Sequence, residues 1–269
     1  LILFDSMLRD TATTVSDPGS ASGYPIASIK DMRAFTTWKS NQTAAAVNID
    51  IDTGAGTENN ADCIGICYTN LATLGATVRI FADAAVIGST QVMAATSWPS
   101  DNAAILTFTA PGAKRYWRVT LNHAALPFAS APYIGELYLG MKTTLPEYLS
   151  PAFPPYFDDL EVAGERSEGG HALGATMRCH IHRGTLDLAG AAGVSRSDHT
   201  ATLKPFADNH LLKRYPFFFV LDTDDTDFDD ARFVKMTDAG RLDRSAVGNS
   251  WARLRFAFDA EEAFAEAVT

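Results

Sequence analysis

Asp62-Cys63-Ile64-Gly65-Ile66-Cys67-Tyr68-Thr69-Asn70-Leu71, followed closely by Leu74-Gly75-Ala76-Thr77-Val78-Arg79-Ile80-Phe81, is the stretch on which the fold class turns. Residues 63 to 68 are apolar almost throughout and read as a more fully buried strand, with a second strand at Thr77 to Phe81. Just upstream, Val47, Ile49 and Ile51 alternate with Asn48, Asp50 and Asp52, the pattern of a strand with one buried face. Trp117, Val119 and Leu121 repeat that pattern opposite Tyr116, Arg118 and Thr120, and further strands are expected at Ile105 to Thr109 and around Leu137 and Leu139. Before residue 140 no helical period outlasts a turn or two. The first domain is therefore expected to be an antiparallel β-sandwich of jelly-roll type.

The strands are separated by turn chemistry. Asp17-Pro18-Gly19-Ser20-Ala21-Ser22-Gly23 and the Gly/Thr/Asn run between Asp52 and Asp62 are loops, while Leu1-Ile2-Leu3-Phe4 is a short apolar segment able to pair as an edge strand. Pro146, Pro151, Pro154 and Pro155 then crowd a segment that also carries Leu145, Tyr148, Leu149, Phe153 and Tyr156. This reads as an extended, packed connector over residues 141–156, which divides the chain into a sandwich at 1–140 and a second β-rich domain at 157–269. In that second domain, strands are expected at Thr176 to Arg183, Phe217 to Leu221, Arg232 to Met236 and Trp251 to Phe258. Residues 197–214 read as a helical insert, capped by Ser197 or Asp198, with Pro205 opening a second short turn.

The order of Tyr24-Pro25-Ile26-Ala27-Ser28-Ile29, Thr36-Thr37-Trp38-Lys39-Ser40, the alternating strand ending in Asp52, the Asp62 and Gly75 segments, Tyr116-Trp117-Arg118-Val119 and Ile134-Gly135-Glu136-Leu137 resembles the galactose-binding-like, or discoidin-like, jelly roll. In particular it is similar to the version near the start of bacteriophage tail-tip proteins, and the second half is similar, more loosely, to other phage tail proteins. The resemblance covers roughly half the chain, and the order of the motifs carries it rather than any one of them. It implies a structural subunit of distal-tail type that assembles with itself into a ring around the tail axis and displays a carbohydrate-binding-like domain. Its partners would be other tail proteins and, for a receptor-binding role, a host surface glycan. Its place would be the virion, after synthesis in the host cytoplasm. A ring needs a heterologous interface, for which Tyr148, Phe153 and Tyr156 of the connector and Arg253 and Arg255 are candidates, the arginines set against acidic loops.

Composition narrows the alternatives. Thirty-two Asp and Glu against 22 Lys and Arg give a net charge of -10, with no local basic patch, which disfavours nucleic acid as a partner. No apolar run is long enough to span a bilayer, and Leu1 to Phe4 is too short for the core of a secretory signal. Cys63 and Cys67 on one strand would stand about 13 Å apart, beyond disulfide reach, so free thiols are expected.

No cofactor is expected, and no enzyme. Ser197-Asp198-His199 are adjacent and cannot converge as nucleophile, orienter and base, and no Gly-x-Ser-x-Gly elbow exists. Asp158 and Asp159 point apart in an extended segment. His180 and His182, with Cys179 facing away, fall short of a zinc set. Asp222, Asp224 and Asp227 belong to the most acidic run and are the weak candidates for a hard cation, but an EF-hand's glycine and closing glutamate are replaced by Asp227 and Phe233, so a solvated hairpin is expected. Discoidin-like modules can hold a structural cation before the Thr-Trp pair, but the matching Asp31-Met32-Arg33-Ala34 lacks the glycine and second aspartate. Asp31 is expected to brace its own turn. Trp38 is expected in the core. Trp98, Tyr68 and Tyr133, near strand ends, are the candidate ligand-binding aromatics. Trp98 before Pro99 is expected to be exposed, for a glycan or for a protein partner.

Overall fold

The computed structural model describes residues 2–3, 5–33, 36–123, 127–144, 157–166, 172–188, 204–211, 213, 215–220, 231–236, 241–243 and 253–260, with the backbone course alone for 157–188 and from 241 onward. The chain divides into two compact units, Leu1–Thr144 with Phe218–Arg232, and Leu145–Phe217 with Phe233–Thr269. Phe218–Arg232, far along the sequence, thus clusters with the first unit. The chain is mostly β-sheet, with sandwiched sheets in the first unit and a short helical insert in the second.

The alternating segments form the centre of one sheet. In β4 (Ala46–Asp52) Val47, Ile49 and Ile51 are fully buried, and β9 (Tyr116–Asn122) buries Trp117, Val119 and Leu121 beside them. The two strands pair antiparallel with Ile49 opposite Val119 and Asp50 opposite Arg118. β2 (Thr14–Ser16), β6 (Thr77–Asp83) and β7 (Gln91–Ser97) complete five strands in the order β2-β4-β9-β6-β7. On the outer side of this sheet, charge is matched in place. Arg118 Nε and Nη2 donate to Asp50 at 2.5 and 2.8 Å, and Arg115 donates to Asp52 at 2.8 and 3.0 Å.

The second sheet has the order β3-β10-β5-β8, from β3 (Trp38–Lys39), β10 (Tyr133–Gly140), β5 (Cys63–Thr69) and β8 (Ala103–Thr107). Leu137 lies opposite Ile66 and Leu139 opposite Ile64, and these four pack with the first sheet's apolar residues in one core. Their alternates, Cys63, Gly65, Cys67, Glu136, Tyr138 and Gly140, face away from that core and are buried too. What covers this rear face is the unit's own chain. β1 (Ile2–Leu3) pairs with Phe218 and Phe219 of β13 (Phe217–Phe219), and the Phe218 ring meets Tyr138 edge-on at 5.3 Å. This is the physical reason for the unbroken apolar run in β5: both faces are covered. Cys63 and Cys67 are buried free thiols, and burial pushes the Cys63 thiol far above its ordinary value.

In the second unit β11 (Phe157–Arg166), β12 (Ala172–Leu188) and β16 (Arg253–Ala260) run side by side, with β14 (Arg232–Met236) and β15 (Arg241–Asp243) both paired to β16. The helical insert expected over 197–214 is present where the chain is described. Among the described residues it covers Lys204–Phe206 as α-helix, continuing as the π-helical Ala207–Leu211, and the expected caps Ser197 and Asp198 lie outside them. Pro205 sits where a first turn tolerates it, since its missing N–H has no helical acceptor there. The insert is held by its aromatic face: Phe206 stacks on His210 at 5.6 Å and meets Phe217 edge-on at 4.9 Å.

Among the strands that escaped the sequence pattern, besides the two- and three-residue β2, β3 and β15, are the longer β7 and β11. β7 has only Val92 and Met93 as large apolar residues, and β11 opens Phe-Asp-Asp straight after the proline-rich segment, so neither shows clean alternation.

Candidate functional site

β5 runs from Cys63, beside Gly140, to Thr69, beside Ile134, so the sandwich has one end near Asp5 and Gly140 and an opposite end made of turns and loops. At that opposite end, three connections are knitted by side chains. Asp101 accepts from the backbone N–H groups of Ala72 at 2.7 Å and Thr73 at 3.2 Å and from Thr73 Oγ1 at 2.5 Å. Asn70 accepts from Tyr133 N–H at 3.0 Å while its amide donates to the Ala131 carbonyl at 3.2 Å, and Thr69 Oγ1 donates to the Tyr133 carbonyl at 2.6 Å. Such a frame holds its residues rigidly without lending many free polar groups to a ligand.

Two of the three candidate aromatics come to this end. Tyr68 is half-buried, with a left-handed φ of 52° one residue before β5 ends, and its N–H donates to the Asn102 carbonyl at 2.7 Å. Tyr133 is also half-buried, and partial burial, with Asp101 adding to it, raises its phenol above the ordinary value. Trp98 is a correction: it is only 3% exposed and belongs to the central core. Its N–H donates to the Ala76 carbonyl at 3.0 Å, so the chain is still tied to the sheet at Trp98 before Pro99 turns it away.

Among the described residues the exposed aromatic is one that the sequence did not mark as a site, Tyr24. Tyr24 is 43% exposed, its carbonyl accepts from Lys39 N–H, and the Lys39 ammonium lies 6.0 Å from the ring centroid. Lys39 stands directly opposite Tyr133 in the β3–β10 pair, so Tyr24, Lys39 and Tyr133 follow one another along this margin. The signal was present in Tyr24-Pro25, a large ring at a turn after a glycine-rich loop, but the segment's value as a fold marker hid it.

Asp31 braces its own turn as expected, accepting from Arg33 N–H at 2.9 Å and Thr36 Oγ1 at 2.7 Å. Trp38 is core, fully buried, with Nε1 donating to Asp17 at 2.8 Å. Beneath the Asp31 turn lies a group that the sequence did not flag. Glu136 is fully buried, and neither carboxylate oxygen makes a well-formed hydrogen bond. Burial, reinforced by Asp31, pushes its carboxyl well above the ordinary range, and the N–H groups of Met32 and Arg33 and the Arg9 guanidinium offset this only in part. A hard cation needs six to eight oxygens, whereas Asp31 has already committed both of its own to the turn. Among the described residues no group of three or more His, Cys, Asp or Glu side chains is placed to hold a metal ion.

A raised value in the folded state means that the native protein holds a proton which the unfolded chain releases near pH 4.3, so stability falls as pH climbs above that point toward the folded value. Glu136→Gln is therefore expected to unfold at higher urea than the parent at pH 7.5 and to converge with it near pH 4. A parent stabilised by added calcium, with the Gln variant indifferent to it, would show instead that a cation fills the gap.

The remaining candidates fall elsewhere. Tyr148, Phe153 and Tyr156, and Asp222, Asp224 and Asp227, lie outside the described residues. Arg255 occupies the β16 position opposite Asp187 of β12, and Arg253 that opposite Asp243 of β15, so each has an acidic neighbour in its own sheet.

No protein-family model and no curated protein matches the sequence. Solved structures similar to about half of it include carbohydrate-binding modules. Chitosan-binding module 1 from a chitosanase/glucanase of Paenibacillus sp. IK-5 is 16% identical, covering 51% of this chain and 98% of its own, with a TM-score of 0.40. The family 32 module from NanJ of C. perfringens, in complex with galactose, is 16% identical over 49% of this chain and 96% of its own, also at 0.40. SpGH29 is 12% identical at 0.40, and there the likeness spans 28% of the matched chain.

Proposed function

We propose that the first unit is a non-catalytic carbohydrate-binding module whose ligand rests on Tyr24, beside Lys39 and Tyr133. The supporting observation is Tyr24 itself: a ring 43% exposed, on a rigidly framed end of the sandwich, with a cation beside it. The apolar C–H face of a sugar stacks on such a ring, and an ammonium and a phenol supply hydrogen bonds to its hydroxyls. The jelly-roll resemblance in the sequence agrees with this reading. Isothermal titration against a glycan panel that includes galactose and chitosan oligomers tests it. A bound sugar should lose about tenfold or more in affinity with Tyr24→Ala and little with Tyr24→Phe. A panel without a binder, or Tyr24→Ala binding as the parent does, refutes it.

A second reading is that the chain is a virion subunit of a phage tail tip, assembling with itself into a ring and with neighbouring tail proteins. The motif order supports it, and so does the rear face of the sandwich, which is sealed by Phe218 from the far part of the chain rather than left as the surface of a detachable module. Light scattering with negative-stain imaging of the purified protein decides: a ring, or a mass several times 29.0 kDa, supports this reading, and a monomer at all concentrations counts against it.

A further inference from the structure

The charged residues of this acidic chain are unevenly placed. From Ala84 to Ser100 seventeen consecutive residues carry none, although one residue in five of the whole sequence is charged. That stretch comprises the β6–β7 turn and β7, which is the edge strand of the five-stranded sheet. It is also exposed: Val86 at the turn is 60% exposed, more than any other large hydrophobic residue among those described, and Ala94, Ala95, Thr96 and Ser97 all face solvent.

The turn is rigid. Asp83 accepts from the N–H groups of Ala85 and Val86 at 2.8 and 3.2 Å and from the hydroxyls of Ser89 and Thr90 at 2.6 and 2.9 Å. Gly88, at a left-handed φ of 76°, lies so close to Arg118 that a Cβ there would come within 2.7 Å of Nη1, and Arg118 is fixed by Asp50. The surface is thus preorganised, and little conformational entropy would be lost when it is covered.

Edge strands of monomers are commonly guarded by charge, and this one has none. Its register shifts against β6, between Val78 and Ile80 and between Ile80 and Phe81, bend it and break the ladder that a further strand would extend. A neighbour must therefore lie against its side chains rather than zip onto its backbone. Small residues at Ala94, Ala95 and Ser97 permit that close approach.

We infer that the Ala84–Ser97 edge is the surface through which this chain meets a second copy of itself. The charge distribution names the occupant. Copies carrying -10 each repel one another, and along this exposed stretch no carboxylate of one copy meets its counterpart in the other. The inference rests on the self-assembling reading above and specifies the face that such assembly uses.

The test is made on the full chain by sedimentation equilibrium and light scattering. The parent is expected to associate, and Ala95→Arg, which places a long charged side chain on the edge, to weaken association about tenfold or more with an unchanged thermal midpoint. Ala110→Arg adds the same charge at an exposed loop position outside the edge, so it should associate as the parent does. If the parent associates and Ala95→Arg does so equally well, this edge is not the interface, although self-assembly stands. If the parent remains a monomer throughout, both the inference and the assembly reading fail.

Discussion

Gly140→Ala is expected to destabilise the first unit by on the order of 3 kcal/mol, seen as a lower urea midpoint with an unchanged slope. A Cβ at this position would stand 1.8 Å from the Asp5 carbonyl oxygen, which is inside any contact distance, and the obstacle is backbone rather than a side chain able to rotate. Neither partner can yield cheaply. Ser6 Oγ accepts from Leu139 N–H at 3.2 Å and anchors the N-terminal segment to β10, and the Gly140 carbonyl accepts from Asp62 N–H at 3.1 Å and anchors the strand end. Removing residues 1–5 is itself costly, because it takes away the fully buried Leu3, but it also removes the obstacle. Gly140→Ala should therefore cost much less in the truncated protein than in the full one. Equal costs in the two backgrounds would mean that the contact does not limit the position.

What made the sandwich legible in the sequence was one-sided burial. In β4 and β9 the alternation survives because one face meets the core and the other carries Asp50, Asp52 and Arg118 in matched pairs. β5 was legible by the opposite sign, an apolar run without alternation, yet nothing local says what lies on its second face. The strand at Phe217 was equally plain as three successive phenylalanines, but its partners, Leu3 beside it and Gly65 and Tyr138 beneath, are residues distant in sequence. Long-range pairing of that kind leaves no trace in local spacing.

The candidate site failed to show for the same reason. Trp98 looked exposed because Thr, Ser and Pro surround it, but whether a ring at a strand end turns in or out depends on the space beneath it, and here that space is core. Tyr24 and Glu136 are the converse cases. Both belong to motifs that mark the fold, and only the three-dimensional setting separates an exposed ring and an unpaired buried carboxylate from packing residues.

Phe218→Ala should have the larger effect of the two substitutions proposed for the rear face, about 3–5 kcal/mol, because its ring is fully buried and a cavity is left that strands on either side cannot collapse. Gly65 lies directly under that ring: a Cβ there would come within 2.9 Å of it, so Gly65→Val alone should cost roughly 1–3 kcal/mol by overpacking. Combined, the two should cost clearly less than their sum, since the valine occupies part of the space that the ring vacates. A second readout separates loosening of this face from general instability. Cys63 and Cys67 lie on it, both buried, and in a Cys179→Ser background their modification by a thiol reagent under native conditions should accelerate in Phe218→Ala. Leu121→Ala, in the main core on the far sheet, should at matched stability leave that rate slow. If the two variants instead label alike, the thiols are reached only through global unfolding, and the cover over β5 opens with the sandwich rather than separately from it.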